Sequence, residues 1–147
     1  MDDTSLKSLL DSSRTVAVVG LSTDPEKTSS TIAQILIDAG YDVIPVHPKA
    51  TEILGRTAYP TLADVPVPID IVDVFRPADE TPGIAEQAVA VGAKTVWLQL
   101  GITSPDARAI AEAGGLTYLE DICIGATTIR LGNRAALISG AGNDPFG

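Results

Sequence analysis

The loop that follows the first apolar run of the chain carries residue types suited to holding a phosphate. Residues 16–30 read VAVVGLSTDPEKTSS, so an apolar run ends at Gly20 and a polar segment leads into a predicted helix. A helix N-terminus offers unpaired backbone N–H groups and the positive end of a dipole to an anion. The side chains that add hydroxyl or cationic donors here are Ser22, Thr23, Lys27, Thr28, Ser29 and Ser30.

The same loop lacks most of the G-x-G-x-x-G pattern of dinucleotide-binding sites. Ser22 and Pro25 stand at the second and third glycine positions, and Gly20 alone remains to permit a sharp turn after the strand. An ordinary β–α turn capped by Ser and Thr explains a single glycine equally well. Phosphate binding and simple capping therefore both stay open for this loop.

A cation follows the second apolar run, where an NAD-binding domain carries an acidic residue for the ribose hydroxyls. The run VIPVHPK, residues 43–49, places His47, Pro48 and Lys49 at this point. A lysine here suits a phosphate on the adenosine ribose, as in NADP or coenzyme A. The chain has only four lysines and a net charge of −9, which makes the position informative. The alternative is a lysine in a solvated loop.

Two further strand ends supply candidate ligand contacts. Phe75 and Arg76 close the run IDIVDVF and could flank an adenine or a pyrophosphate, since a planar guanidinium suits phosphate. Core packing is the equal alternative for Phe75, and Asp73 within that run is expected to cap a neighbouring loop. In VWLQLGI, Gln99 needs a polar partner from the backbone or from a ligand, and Gly101 ends the run.

The sequence shows no assembled catalytic machinery. It lacks the G-x-x-x-x-G-K-[ST] motif of P-loop NTPases and the G-x-S-x-G motif of hydrolases. One histidine and one cysteine leave no metal cluster to propose. A nucleophile at Cys123 would need the fold to bring His47 beside it. The adjacent acidic residues at 79–80 and at 120–121 are interpreted as solvated. We expect a binding cleft without catalysis.

The candidates all follow strands of a predicted α/β fold. Runs rich in Val and Ile alternate with helical patterns from Thr15 to about Leu119, which predicts a doubly wound parallel sheet of about five strands. Ligands of such sheets bind outside the carboxyl ends of the strands. The strand-like runs are TVAVVG, YDVIPV, IDIVDVF, KTVWLQL and LTYL, and helices are predicted over 4–11, 30–40, 82–92 and 104–114. The connection over 50–68 is predicted to hold a turn, a short strand and one helical turn.

Length and composition indicate a single domain of ordinary globular character. The chain has 147 residues, of which 45% are hydrophobic and 20% charged. We predict that residues 1–131 form the domain and that 132–147 are a loosely held tail. The net charge of −9 argues against nucleic acid or an anionic membrane as the main partner. No apolar run approaches the ~20 residues of a membrane span, and the single cysteine fits a reducing cytoplasm.

The sequence resembles a known family along about three quarters of its length. VAVVGLS, GYDVIPVHPK, YPTLADVP, IDIVDVFR and VWLQLGI, in this order, resemble the small free-standing CoA-binding proteins. These are similar to the N-terminal CoA-binding domain of the succinyl-CoA synthetase α subunit. The resemblance implies a Rossmann-like domain that binds the nucleotide half of coenzyme A. It implies phosphate contacts for Gly20, Leu21, Ser22 and Lys27, adenosine and 3′-phosphate contacts for Pro48 and Lys49, contacts on the adenine side for Phe75 and Arg76, and pantetheine contacts for Gln99 and Gly101.

Three functions are compatible with these residues. The first is a cytoplasmic protein that binds coenzyme A or an acyl-CoA without catalysis of its own. The Glu–His pair that often follows the family's cysteine is absent after Cys123, and the synthetase needs a phosphorylated histidine from another domain, so ligase activity is not transferred. The alternatives are an NADP-linked oxidoreductase on the same fold and a protein-interaction module that senses CoA. A protein partner or a homo-oligomer is compatible with each.

Overall fold

A five-stranded parallel sheet forms the centre of the protein, as seen in a computed structural model that describes residues 1–131. The sheet has the strand order β2-β1-β5-β6-β7, and β3 and β4 form a separate antiparallel hairpin. This confirms the predicted α/β fold. The strands are β1 (Thr15–Val19), β2 (Asp42–Val46), β3 (Glu52–Ile53), β4 (Arg56–Thr57), β5 (Ile71–Val74), β6 (Thr95–Leu98) and β7 (Thr117–Leu119).

Helices cover both faces of this sheet. Residues of α1, α2 and α5 pack with one face, and residues of α3 and α4 pack with the other. The helices are α1 (Asp3–Ser12), α2 (Thr28–Asp38), α3 (Thr81–Ala90), α4 (Pro105–Ala113) and α5 (Ile124–Leu131), with short 3₁₀ turns at Leu62–Asp64 and Ala78–Glu80.

Burial on both faces explains why the strands read as continuous apolar runs. In β1, Val16 and Val18 belong to the core under α1, α2 and α5, whereas Ala17 belongs to the core under α3 and α4. All three are fully buried. Strand β5 departs from the pattern, because it places Asp73 between Val18 of β1 and Trp97 of β6.

Local signals in the sequence set several helix ends. The Asp2 carboxylate accepts a hydrogen bond from the backbone N–H of Ser5 at 2.8 Å and so caps α1. Ser104 caps α4 in the same way, with Pro105 as the first helical residue. Gly40, with φ at +97°, ends α2 in the left-handed conformation that glycine tolerates. These boundaries agree with the sequence prediction to within a few residues.

Two regions add to what the sequence predicted. Helix α5 was not predicted, and the connection over 50–68 contains a two-stranded hairpin in addition to the predicted helical turn. The predicted tail over 132–147 lies outside the described residues. None of the helices within 1–131 has the length and apolar character needed to cross a membrane.

Candidate functional site

An opening at the carboxyl edge of the sheet lies where the strand order reverses. Strand β1 has β2 on one side and β5 on the other, which makes its carboxyl end the switch point of the sheet. A cleft of about 510 Å³ opens there, a volume typical of small-molecule sites. Its lining comes from five parts of the chain: Val19–Thr23, Val46–Pro48, Pro60 with Thr61, Arg76, and Glu80 with Ile84 and Gln87 of α3.

Gly20 is required both by its backbone conformation and by its neighbours. Its φ is +90°, and a Cβ at this position would lie 2.7 Å from Arg76 Cδ and 2.7 Å from the carbonyl oxygen of Phe75. The turn brings the backbone of β1 against the end of β5, where the Phe75 N–H donates to the Val19 carbonyl at 2.9 Å. Gly20 therefore lets the ends of β1 and β5 approach closely, and the Arg76 side chain packs directly against Gly20.

The loop after Gly20 is held by the first turn of α2. The Ser29 hydroxyl oxygen accepts from the Ser22 N–H at 3.0 Å, and the Ser30 hydroxyl donates to the Asp24 carbonyl at 2.7 Å. Both serines are buried, so their hydroxyl groups shape the loop. Ser29, predicted as a ligand contact, thus lies behind the loop and positions Ser22.

Two backbone N–H groups of this loop have no hydrogen-bond partner among the described residues. Leu21 and Thr23 line the cleft, and neither backbone N–H donates a hydrogen bond to another residue within 1–131. Leu21 is fully buried as a residue and packs in the core, whereas Thr23 is exposed, so the accessible donor of the two is the Thr23 N–H. Unpaired amides ahead of a helix are the arrangement that binds phosphate groups in other α/β domains.

The opposite wall contains the only histidine of the chain. The Nδ1 atom of His47 accepts from the backbone N–H groups of Lys49 at 3.1 Å and Ala50 at 3.0 Å. In the neutral ring this places the proton on Nε2, which is then a donor. His47 and Pro48 line the cleft, whereas the exposed Lys49 lies one residue beyond the lining.

Arg76 separates this cleft from a second, largely apolar cavity of about 380 Å³. The side chain lines both spaces, and its guanidinium is bound by Glu80 through two hydrogen bonds, from Nε at 3.1 Å and from Nη2 at 2.8 Å. The second cavity is lined by Thr28, Ile32, Phe75, Arg76, Pro77, Gln99, Leu100, Ile102 and Cys123. Phe75 and Gln99 therefore lie in the second cavity, apart from Pro48 in the first.

A buried polar chain lies behind the second cavity. Gln99 donates through Nε2 to Asp73 Oδ1, and its Oε1 accepts from the Ile124 N–H at 3.3 Å. Asp73 is fully buried and its Oδ2 has no hydrogen-bond partner. This burial raises the pKa of Asp73 to about 8, against the smaller opposing effect of the Gln99 hydrogen bond. The expectation that Asp73 caps a neighbouring loop is wrong, because its partner is the Gln99 side chain.

Cys123 immediately precedes α5. Its carbonyl accepts from the Thr127 N–H at 3.0 Å, and its sulfur accepts from the Ala126 N–H at 3.4 Å. The half-buried thiol lines the second cavity, whereas His47 lines the first. The structure therefore does not bring these two residues into one cavity.

The predicted site residues thus fall into three groups. Of the twelve predicted residues, six line the first cleft, two line only the second cavity, and four lie outside both linings. The first cleft contains Gly20, Leu21, Ser22, His47, Pro48 and Arg76; Phe75 and Gln99 line the second cavity, together with Arg76; Lys27, Ser29, Lys49 and Gly101 lie outside. Gly101 follows Leu100 and donates its N–H to Asp121 Oδ1 at 2.6 Å.

The third wall of the cleft was not predicted from the sequence. It is formed by four residues that were not candidates: Pro60, Thr61, Glu80 and Gln87. Glu80 is exposed, as predicted, yet it pairs with Arg76. The spacing in the sequence could have predicted this pair. Arg76 and Glu80 are four residues apart, and the 3₁₀ turn at Ala78–Glu80 brings their side chains together.

The fold and the cleft together define an open α/β domain with a cleft at its switch point. Comparison with known proteins identifies the kind of domain: residues 14–128 match the CoA binding domain, and the chain belongs to this family. It is 40% identical to the uncharacterized protein YneT of Bacillus subtilis (strain 168), over 81% of this chain and 88% of that protein.

Two further relatives show how the domain is used alone and within a larger chain. A solved hypothetical protein from Pyrococcus horikoshii OT3 is 35% identical, with a TM-score of 0.87 over 89% of this chain and 92% of that one. Acetate–CoA ligase [ADP-forming] I of Archaeoglobus fulgidus is 26% identical over 76% of this chain, which matches only 18% of the ligase. This chain is thus homologous to one region of the ligase.

Proposed function

We propose that this protein binds coenzyme A, or an acyl-CoA, through its nucleotide half and catalyses no reaction of its own. The observation that carries the proposal is the cleft at the switch point, which combines the exposed, unpaired amide of Thr23 with the guanidinium of Arg76. These groups suit a diphosphate, and they lie within the part of the chain that matches the CoA binding domain.

A diphosphate bound at this loop would fix the positions of the adenosine and of the pantetheine arm. With the diphosphate on the Gly20–Thr23 loop, the adenosine lies along His47 and Pro48, and its 3′-phosphate reaches Lys49. Neither Lys49 nor Lys27 forms an ion pair within 1–131, whereas the other two lysines pair with aspartates. The pantetheine arm passes Arg76 into the second cavity, whose apolar lining suits its methylene groups and thiol.

The absence of catalysis is part of the proposal. His47 and Cys123 line different cavities, and Asp73, whose pKa is raised to about 8, has no exposed surface through which to exchange a proton with a ligand. The ligase relative corresponds to this chain over 18% of its own length, so its activity is not carried over. We also place the protein in the cytoplasm, since a single cysteine fits a reducing compartment.

A thermal shift panel tests the proposal against its alternatives. The ligands are CoA, dephospho-CoA, acetyl-CoA, NADPH and NADH, each at millimolar concentration. A ligand present at 100 times its dissociation constant adds about 2.7 kcal/mol of stability, which raises the Tm of a domain of this size by about 5–10 °C. We expect this rise with the three CoA compounds.

The other outcomes separate the remaining functions. A rise with NADPH alone would replace the proposal with the oxidoreductase, because that enzyme needs the nicotinamide cofactor. Pull-downs with and without CoA test the sensing module, in which the captured protein would depend on CoA. A Tm unchanged by every compound would contradict binding of either cofactor class.

A further inference from the structure

The cleft that we assign to a triply phosphorylated ligand contains an acidic side chain in direct contact with its only arginine. Arg76 and Glu80 both line the cleft. The two hydrogen bonds between them use the paired donors with which a guanidinium would hold a phosphate. These two donors of Arg76 are therefore paired with a carboxylate of the same chain.

We propose that Glu80 sets the affinity and selectivity of the cleft by competing with the ligand's diphosphate for Arg76. This inference rests on the proposed function and names a selectivity residue for the same site. A diphosphate displaces Glu80 because it offers more charge and more acceptor oxygens than one carboxylate. A singly charged anion offers no such advantage and leaves the pair intact.

The surroundings of the pair fit this role. Both side chains are nearly half exposed, at 45% for Arg76 and 46% for Glu80, so the pair is accessible to a ligand and can open without exposing the core. The Arg76 hydrogen bonds lower the pKa of Glu80, which keeps its carboxylate charged at neutral pH. Glu80 also precedes the first residue of α3, where the helix N-terminus stabilises its charge once Arg76 is withdrawn.

Arg76 is also placed to couple the two cavities. Its side chain crosses Gly20, where its Cδ would lie 2.7 Å from a Cβ, and it lines both spaces. Withdrawal from Glu80 toward a diphosphate on the Gly20–Thr23 loop changes the wall of the second cavity at the same time. The pair therefore links phosphate binding to the shape of the space for the pantetheine arm.

The test is the affinity of Glu80→Gln for CoA and for dephospho-CoA, measured by isothermal titration calorimetry. Glutamine keeps the size and an acceptor oxygen but removes the charge that holds Arg76. We expect both ligands to bind about three- to tenfold more tightly, the size of effect of one partly exposed charge near a phosphate. Both should gain equally because both carry the diphosphate.

Glu86→Gln is the matched control. Glu86 is exposed on α3, six residues after Glu80, and lies outside both cavity linings, and its substitution changes the net charge by the same amount. We expect its affinities to stay within about twofold of the wild type. A gain in Glu86→Gln equal to that in Glu80→Gln would overturn the inference, because it would reflect the net charge alone.

A second background separates competition for Arg76 from simple repulsion of the ligand. In Arg76→Gln, the substitution Glu80→Gln should no longer improve binding, since there is no guanidinium to release. An equal gain in both backgrounds overturns the inference, as does unchanged affinity of Glu80→Gln when the wild type binds. Failure of the wild type and of all variants to bind either ligand would instead reject the proposed function.

Discussion

Asp73 is a carboxyl group in the centre of the sheet, and its replacement by Asn gives a direct test of how the core is built. The side chain has no exposed surface, one oxygen accepts from Gln99, and the other has no partner. Burial without an opposing cation raises the pKa of Asp73 from 3.8 to about 8. The folded protein therefore keeps this carboxyl protonated at neutral pH.

The sign of the pH dependence follows from this pKa. Between pH 4 and pH 8 the unfolded chain releases the proton that the folded chain retains, so ionisation of Asp73 opposes folding. Its stabilising contribution is fully present below pH 3.8 and is lost as the pH rises toward 8. Each pH unit in this window removes about 1.4 kcal/mol from the free energy of unfolding, and at pH 7 the loss reaches about 4 kcal/mol as an upper limit.

Asp73→Asn abolishes the ionisation while keeping an oxygen that accepts from Gln99. Its amide adds buried N–H donors without partners, which costs about 1–2 kcal/mol at every pH. We expect the variant to be less stable than the wild type by about 1–2 kcal/mol at pH 4 and more stable by about 2 kcal/mol at pH 7. The two stability curves should cross between these values.

Urea denaturation of both proteins at half-unit intervals from pH 4 to pH 8 measures the difference. Asp38→Asn serves as the control, because Asp38 is exposed at the end of α2 and its substitution should leave the pH profile parallel to that of the wild type. A constant difference between Asp73→Asn and the wild type across this range would contradict the raised pKa of Asp73. It would mean that Asp73 has the same protonation state in the folded and unfolded chain.

Three further substitutions test the cleft. Gly20→Ala should lower the free energy of unfolding by about 2–4 kcal/mol, because the new Cβ collides with Arg76 and Phe75 and the positive φ is strained. The control Gly92→Ala, with φ at +75° and no atom within 4 Å of its Cβ, should lower it by about 1–2 kcal/mol. Equal losses in chemical denaturation would argue against the close approach at Gly20. Lys49→Ala should weaken CoA about three- to tenfold in calorimetry and leave dephospho-CoA within about twofold, and equal losses would place the 3′-phosphate elsewhere. Lys27→Ala should weaken both ligands alike by a similar factor, and a loss confined to CoA would assign it to the 3′-phosphate instead.

The sheet and its edge could be predicted because the relevant signals are local. Runs of Val and Ile that are buried on both faces mark the parallel strands, and parallel strands place their carboxyl ends at one edge. Gly20, His47 and Arg76 each follow such a run, so their meeting in one cleft follows from the alternation of strands and helices.

Helix α5 was not predicted because tertiary packing stabilises it more than the intrinsic helix propensity of its residues does. Its segment IGATTIRL contains a glycine and two β-branched threonines, which are weak helix formers. In the structure, Gly125 lets the helix approach α2, since a Cβ there would lie 3.3 Å from Ile32 Cγ2. The Trp97 indole also donates to the Ile122 carbonyl at 2.8 Å and fixes the entry to the helix.

The cleft's third wall could not be predicted for a related reason. Thr61 and Gln87 come from segments that carry no phosphate-binding pattern, and they reach the cleft only through the path of the connection over 50–68 and the packing of α3. The partner of Gln99 was equally hidden, because a buried Asp is as compatible with a loop cap as with a side-chain pair. Contacts between distant segments decide both cases.

A crystal structure of the complex with CoA would show whether the cleft at the end of β1 binds the nucleotide half of the ligand. We expect diphosphate oxygens within hydrogen-bond distance of the Thr23 backbone N–H, with Arg76 turned from Glu80 toward the diphosphate and the thiol end of the ligand in the second cavity. A nucleotide bound outside the cleft at the end of β1, or crystals that remain free of ligand at saturating CoA, would contradict this expectation.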